Sequence, residues 1–118
     1  MKSTITLFFT LLILAITTTT IYADNATQCQ NYKDALALQQ SFDSIDPNAP
    51  CPVDNQVACL GSHGGVTLKC SENVWSQQPC NTGLICYALP LEFRKGTSIV
   101  CDTDADYQTR MAQAKAKC

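Results

Sequence analysis

Histidine is nearly missing from this chain: His63 is the one copy in 118 residues. That leaves no histidine-rich metal site, and a single base for any Ser–His–Asp or Cys–His arrangement. The base sits in Gly61-Ser62-His63-Gly64-Gly65, where the adjacent Ser62 is badly placed to present to the ring, so it reads as an exposed turn histidine. Basic residues are few, 8 Lys and Arg against 10 Asp and Glu, and they form no stripe, which argues against a nucleic-acid partner. No second long apolar run follows the first one, so nothing calls for a membrane span. There is no C-x2-C pair for zinc, no internal repeat, and no retention or lipid-anchor signal at the end. A metal or other cofactor is not expected.

Cysteine is what the chain has instead. Cys29, Cys51, Cys59, Cys70, Cys80, Cys86, Cys101 and Cys118 all lie beyond a hydrophobic leader, and no two are adjacent. Lys2, the apolar run from Ile5 to Ile16 and Ile21-Tyr22-Ala23 before Asp24 have the layout of a signal peptide over residues 1–23. An even cysteine count behind such a leader reads as a disulfide framework formed in an oxidising compartment. Residues 24–118 are then one domain, secreted and extracellular or held at a cell wall, and monomeric. Losing Lys2 takes the formal charge from −2 to −3. Four bridges at ~2–4 kcal/mol each are comparable with the ~5–15 kcal/mol net stability of a typical domain. Asn25-Ala26-Thr27 is an N-glycosylation sequon at the start of the processed chain, which marks Asn25.

The pattern predicts a small disulfide-rich α+β fold, a short-stranded antiparallel β unit flanked by an N-terminal and a C-terminal helix. Tyr32, Ala35, Leu38, Phe42 and Ile45 recur at helical spacing over residues 25–45, with Asn25 and Gln28, or Thr27, as the cap. Pro47 and Pro50 stop that helix. Residues 51–101 hold six cysteines and five short β-prone pieces: 56–60, 66–70, 73–76, 84–87 and 97–101. Thr103 with Asp106 forms a capping box for a helix over 103–118, whose face carries Tyr107, Met111, Ala114 and Cys118. Cys29 and Cys118, on facing helix stripes, are expected to pair. Cys80–Cys86 is expected across the Asn81-Thr82-Gly83 turn, with Cys51–Cys70 and Cys59–Cys101 completing one of 105 pairings.

No group of residues calls for catalysis. Asp102, Asp104 and Asp106 sit at a helix start, where capping and the helix dipole explain them, and Glu72 lies in a turn. The aromatics offer more. Trp75 and Tyr87 fall inside the cysteine-rich segment, and a ring with a polar edge can stack on a sugar while neighbours such as Asn73 and Gln77 bond its hydroxyls. The alternative for both rings is the protein's own core. Phe93, in Leu91-Glu92-Phe93-Arg94-Lys95-Gly96, lies in a loop that mixes apolar and basic residues, either a binding rim or a long hairpin connection.

The six inner cysteines run C-x7-C-x10-C-x9-C-x5-C-x14-C, within VACLGSHGGVTLKCSENVWSQQPCNTGLICYALP and GTSIVC. This segment resembles the fungal family 19 carbohydrate-binding modules, chitin-binding modules that include one at the end of a yeast chitinase. The shared features are a polar residue before VAC, a C-x-x-x-x-W step and a PC-x-x-G-x-x-C turn. The chain as a whole, with Ala88-Leu89-Pro90-Leu91 and then Gly96 to Asp106, resembles small secreted fungal proteins that carry this module between flanking segments. The resemblance implies a non-catalytic binder of chitin or a related polysaccharide. Cys29 and Cys118 lie outside the six-cysteine pattern. Hydrophobins and hevein-like binders are excluded because both require adjacent cysteines. The rival reading is an effector-like or structural protein that binds another protein through its helices or through residues 91–95.

Overall fold

A computed structural model describes residues 21–118. The expected leader therefore lies outside the described residues, except for its last three. Helix α1 (Asn25–Ser41) opens the fold and ends in a 3-10 turn, Phe42–Ser44. The cap is Asp24, one residue earlier than expected: its carboxylate accepts the Thr27 N–H at 2.7 Å, so Thr27 is the donor and not the cap. Five strands follow: β1 (Val57–Cys59), β2 (Val66–Ser71), β3 (Val74–Pro79), β4 (Ile85–Pro90) and β5 (Thr97–Asp102). Helix α2 (Asp104–Lys115) closes the chain, with the Thr103 hydroxyl accepting the Asp106 N–H. The return half of the expected capping box is absent, because the Thr103 N–H donates to Asp102 Oδ1 at 2.8 Å. The fold class is the one expected, a disulfide-rich α+β unit.

The strands divide into two antiparallel sheets, β1-β2-β3 and β4-β5. The β4-β5 sheet lies in the middle, and its alternating side chains serve two cores. Tyr87 and Leu89 point to the helices and pack with Ala35 and Met111. Cys86 and Ala88 point the other way, to Phe42, Leu68, Trp75 and Cys59. A strand buried on both faces reads as a continuous apolar run, which is why Ile-Cys-Tyr-Ala-Leu-Pro shows no polar alternation.

All eight cysteines are bonded. Cys29–Cys118 and Cys51–Cys70 are the expected pairs. The other two are exchanged: the bridges are Cys59–Cys86 and Cys80–Cys101, in place of Cys80–Cys86 and Cys59–Cys101. The reason is register. Cys86 and Cys101 stand opposite each other on one face of the β4-β5 pair, so each reaches across to the other sheet. Cys59 ends the edge strand β1 and Cys80 follows the edge strand β3, so the two bridges clamp both edges of one sheet onto the other. Cys118 is exposed past the end of α2 and not on its buried stripe, yet it still reaches Cys29.

Candidate functional site

Asn73, Trp75 and Gln77 come together on the β2-β3 hairpin, while Tyr87 belongs to the other sheet. Register places Trp75 opposite Cys70 and Gln77 opposite Leu68, on the core-facing side. The indole is only 9 % exposed and packs in the cluster around Cys51, Cys70 and Leu68. Tyr87 is 3 % exposed. Its ring stacks on Tyr107 with centroids 3.9 Å apart and planes at 5°, and its hydroxyl donates to Asp104 Oδ1 at 2.9 Å. Burial first, and then the Asp104 carboxylate, push the Tyr87 phenol up to about 12. Both rings take the core alternative, so neither presents a face to a ligand.

Asn73 has a turn role of its own. With Ser71 paired to Val74, Glu72 and Asn73 form a two-residue hairpin loop at φ 51° and 64°. Two positive φ values suit the twist of the flanking strands, and Asn adopts them readily. The Asn73 carbonyl also accepts the Cys51 N–H at 3.0 Å. Gln77 is exposed on edge strand β3, between exposed Ser76 and Gln78. Ser76 and Gln78 lie on the solvent face of the hairpin, with exposed Lys69 across from Ser76, and Gln77 lies on the opposite face with Trp75.

The carboxylates at the start of α2 are taken up locally. Asp104 receives the Tyr87 hydroxyl. Hydrogen bonding to Asp102 is the main cause that raises the Asp106 carboxyl above its ordinary value, with burial and the Asp102 charge adding and Arg110 opposing. Asp102 Oδ2 is buried without a partner. Ser62 and His63 do meet, Oγ to Nδ1 at 3.0 Å, closer than their adjacency in sequence led one to expect. Asp43 nearby accepts the Ser62 backbone N–H at 2.8 Å, which holds its carboxyl below the usual range. Among the described residues no cluster of three or more His, Cys, Asp or Glu is placed to hold a metal, and no helix is long and apolar enough to cross a membrane.

A groove of about 590 Å³ lies where the start of α1, the β4-β5 loop and the end of α2 meet. Asn25 and Gln28 form one wall, Leu91 and Glu92 another, and Arg110 and Gln113 a third. Phe93, 57 % exposed, stands beside it in the same loop. The loop is held in place. The Leu91 N–H donates to the Gly96 carbonyl, and the fully buried Asn31 side chain donates to the carbonyls of Leu91 and Arg94 at 2.9 Å each. Its Oδ1 accepts the Gly96 N–H at 2.8 Å. Gly96 turns at φ 132°, and a Cβ there would come within 3.2 Å of Leu91. Asn31 was missed in the sequence, as was Gln39, which bonds Ser62 and Ala88. The available signal was their i, i+8 spacing about Ala35 on one helix face, which polar character disguised.

No family model, curated protein or solved structure matches this chain.

Proposed function

We propose that the protein is secreted and binds chitin or a related neutral polysaccharide without cutting it. The observation that carries this reading is that edge strand β3 carries only uncharged, exposed hydrogen-bonding side chains from Ser76 to Gln78: Ser76 and Gln78 on the solvent face and Gln77 on the other. A hydroxyl- and acetamido-bearing polymer is matched by neutral donors and acceptors, and an edge strand adds its own unpaired N–H and C=O groups. The six-cysteine resemblance covers this hairpin, and four disulfides are typical of extracellular proteins. Stacking on Trp75 and Tyr87 is not part of the reading, since both rings are committed to the interior. Retention of the oxidised chain on insoluble chitin is the test. The double variant Gln77→Ala/Gln78→Ala, still folded, is expected to be retained less. Wild-type protein that stays wholly in the supernatant overturns the reading.

A second reading has its own support: the protein binds another protein. Buried Trp75 and Tyr87 together with an exposed Phe93 next to half-buried Leu91 are the arrangement that favours a protein partner over a sugar.

A further inference from the structure

The sequon asparagine stands on the wall of the groove. Asn25 lines it together with Leu91 and Glu92, and Asn25 is exposed. Its amide is not needed by the helix, because the Asp24 carboxylate caps α1. A substituent on Asn25 Nδ2 therefore leaves the cap intact. Phe93, in the loop beside the groove, is 57 % exposed even with the Tyr22 ring stacked on it at 4.9 Å between centroids. The expected cut after Ala23 removes Tyr22 and uncovers that face as well. The chain itself keeps Asn25 close to this ring. The Ala23 N–H donates to the Glu92 carbonyl at 3.0 Å, and Asn25 follows Ala23 by two residues, a span of at most about 7 Å. Asn31 fixes the loop that carries Phe93, so the ring does not drift from the groove. Gln28 lies one helical turn from Asn25 and donates to the Ala23 carbonyl at 2.6 Å, a donor that the cut sets free. Arg110 and Gln113 bring further donors from α2. A sugar joined at Asn25 thus meets an apolar ring face to stack on and donors for its hydroxyl and acetamido oxygens.

We infer that Asn25 carries an N-linked glycan whose first N-acetylglucosamine lies in this groove and covers Phe93. The donor is a lipid diphosphate-linked oligosaccharide. The bond from Asn25 Nδ2 to the anomeric carbon forms, the bond from that carbon to the phosphate oxygen breaks, the lipid diphosphate leaves, and one Nδ2 proton goes to solvent. The attachment bond holds the sugar at the groove, so even a weak stacking contact is well populated. The inference rests on secretion, which belongs to the first reading above, and does not involve the β3 edge. It also gives Phe93 a cover within the molecule, in place of a protein partner.

The test expresses the full chain, with its own leader, in a eukaryotic secretory host beside Asn25→Gln, Thr27→Ala and Phe93→Ala. Asn25 and Phe93 are exposed, so variants at those positions keep the fold. Intact mass of the protein in the medium is expected to show a glycan that Asn25→Gln and Thr27→Ala both lack. Trimmed enzymatically to one N-acetylglucosamine, the protein is expected to show nuclear Overhauser contacts between that sugar and the Phe93 ring. Its thermal midpoint is expected to exceed that of Asn25→Gln by about 3 °C or more, a gap that Phe93→Ala closes. Asn25→Gln is expected to keep full retention on chitin, which separates this claim from the polysaccharide reading. Protein in the medium without a glycan overturns the inference and leaves secretion standing. A chain kept inside the cells with its leader uncut overturns both. A glycan that makes no contact with Phe93, or a midpoint gap that persists in Phe93→Ala, overturns the inference as well.

Discussion

Asn31 satisfies three backbone groups of the 91–96 loop from a side chain with no solvent exposure. Removing it leaves two carbonyls and one N–H without a partner, at roughly 1–3 kcal/mol for each buried group so stranded. Asn31→Ala is therefore expected to lower unfolding stability by at least about 2 kcal/mol. Hydrogen exchange at the Gly96 amide is expected to accelerate beyond that global loss, because the loop loosens first. Tyr87 gives a second residue-level prediction. Its phenol is raised from an ordinary 10.0 to about 12, so folding favours the protonated form. The resulting stability is fully present below pH 10 and is lost as pH rises through about 12. Tyr87→Phe keeps the ring against Tyr107 but drops the bond to Asp104; it is expected to cost about 1–2 kcal/mol near neutrality and to flatten the alkaline decline. Ultraviolet absorbance titration is expected to find one of the 4 tyrosines ionising last, and to lose that step in the variant. These residues mark the limit of sequence reading: an apolar stripe announces a core, whereas Asn31 and Gln39 look like solvent-facing residues until the loops they bond arrive from more than twenty positions away.

At the scale of elements, the helices and strands were legible because each carries a local signal. The i, i+3, i+6 spacing of Tyr32, Ala35 and Leu38 marks α1, which with its 3-10 turn ends ahead of Pro47, and Thr103 caps α2 where expected. The Thr103 cap supports a third prediction: Thr103→Ala is expected to cost about 1 kcal/mol, read as a lower thermal midpoint, while Thr103→Ser is expected to be near neutral. The candidate site was less legible. The sequence puts Asn73, Trp75 and Gln77 within five positions, and they do share one hairpin. Which side of it faces the core is set by what packs there: Trp75 stands across from Cys70 and shares a core cluster with the Cys51–Cys70 bridge. Trp75→Ala is expected to unfold the hairpin, and not to remove a surface contact.

At the scale of the molecule, covalent links join the layers. Cys29–Cys118 closes a loop of 89 residues and ties α1 to the chain end beyond α2, worth about 4–5 kcal/mol in the chain-entropy account. Replacing both with serine is expected to lower stability by roughly that amount while leaving three bridges intact; denaturant unfolding and non-reducing peptide mapping check both statements. Recovery of a Cys80–Cys86 peptide would refute the arrangement of the sheets. The sequence by itself determined the disulfide-rich α+β class and the five short strands between two helices, because local propensity needs no knowledge of packing. Only the tertiary structure decided that the strands form two sheets, that Cys86 and Cys101 each reach to the other sheet, and that Trp75 and Tyr87 lie inside while Phe93 remains exposed. The physical reason is that register and layer stacking are set by contacts between segments distant in the chain, and such contacts leave no periodic mark on either segment alone.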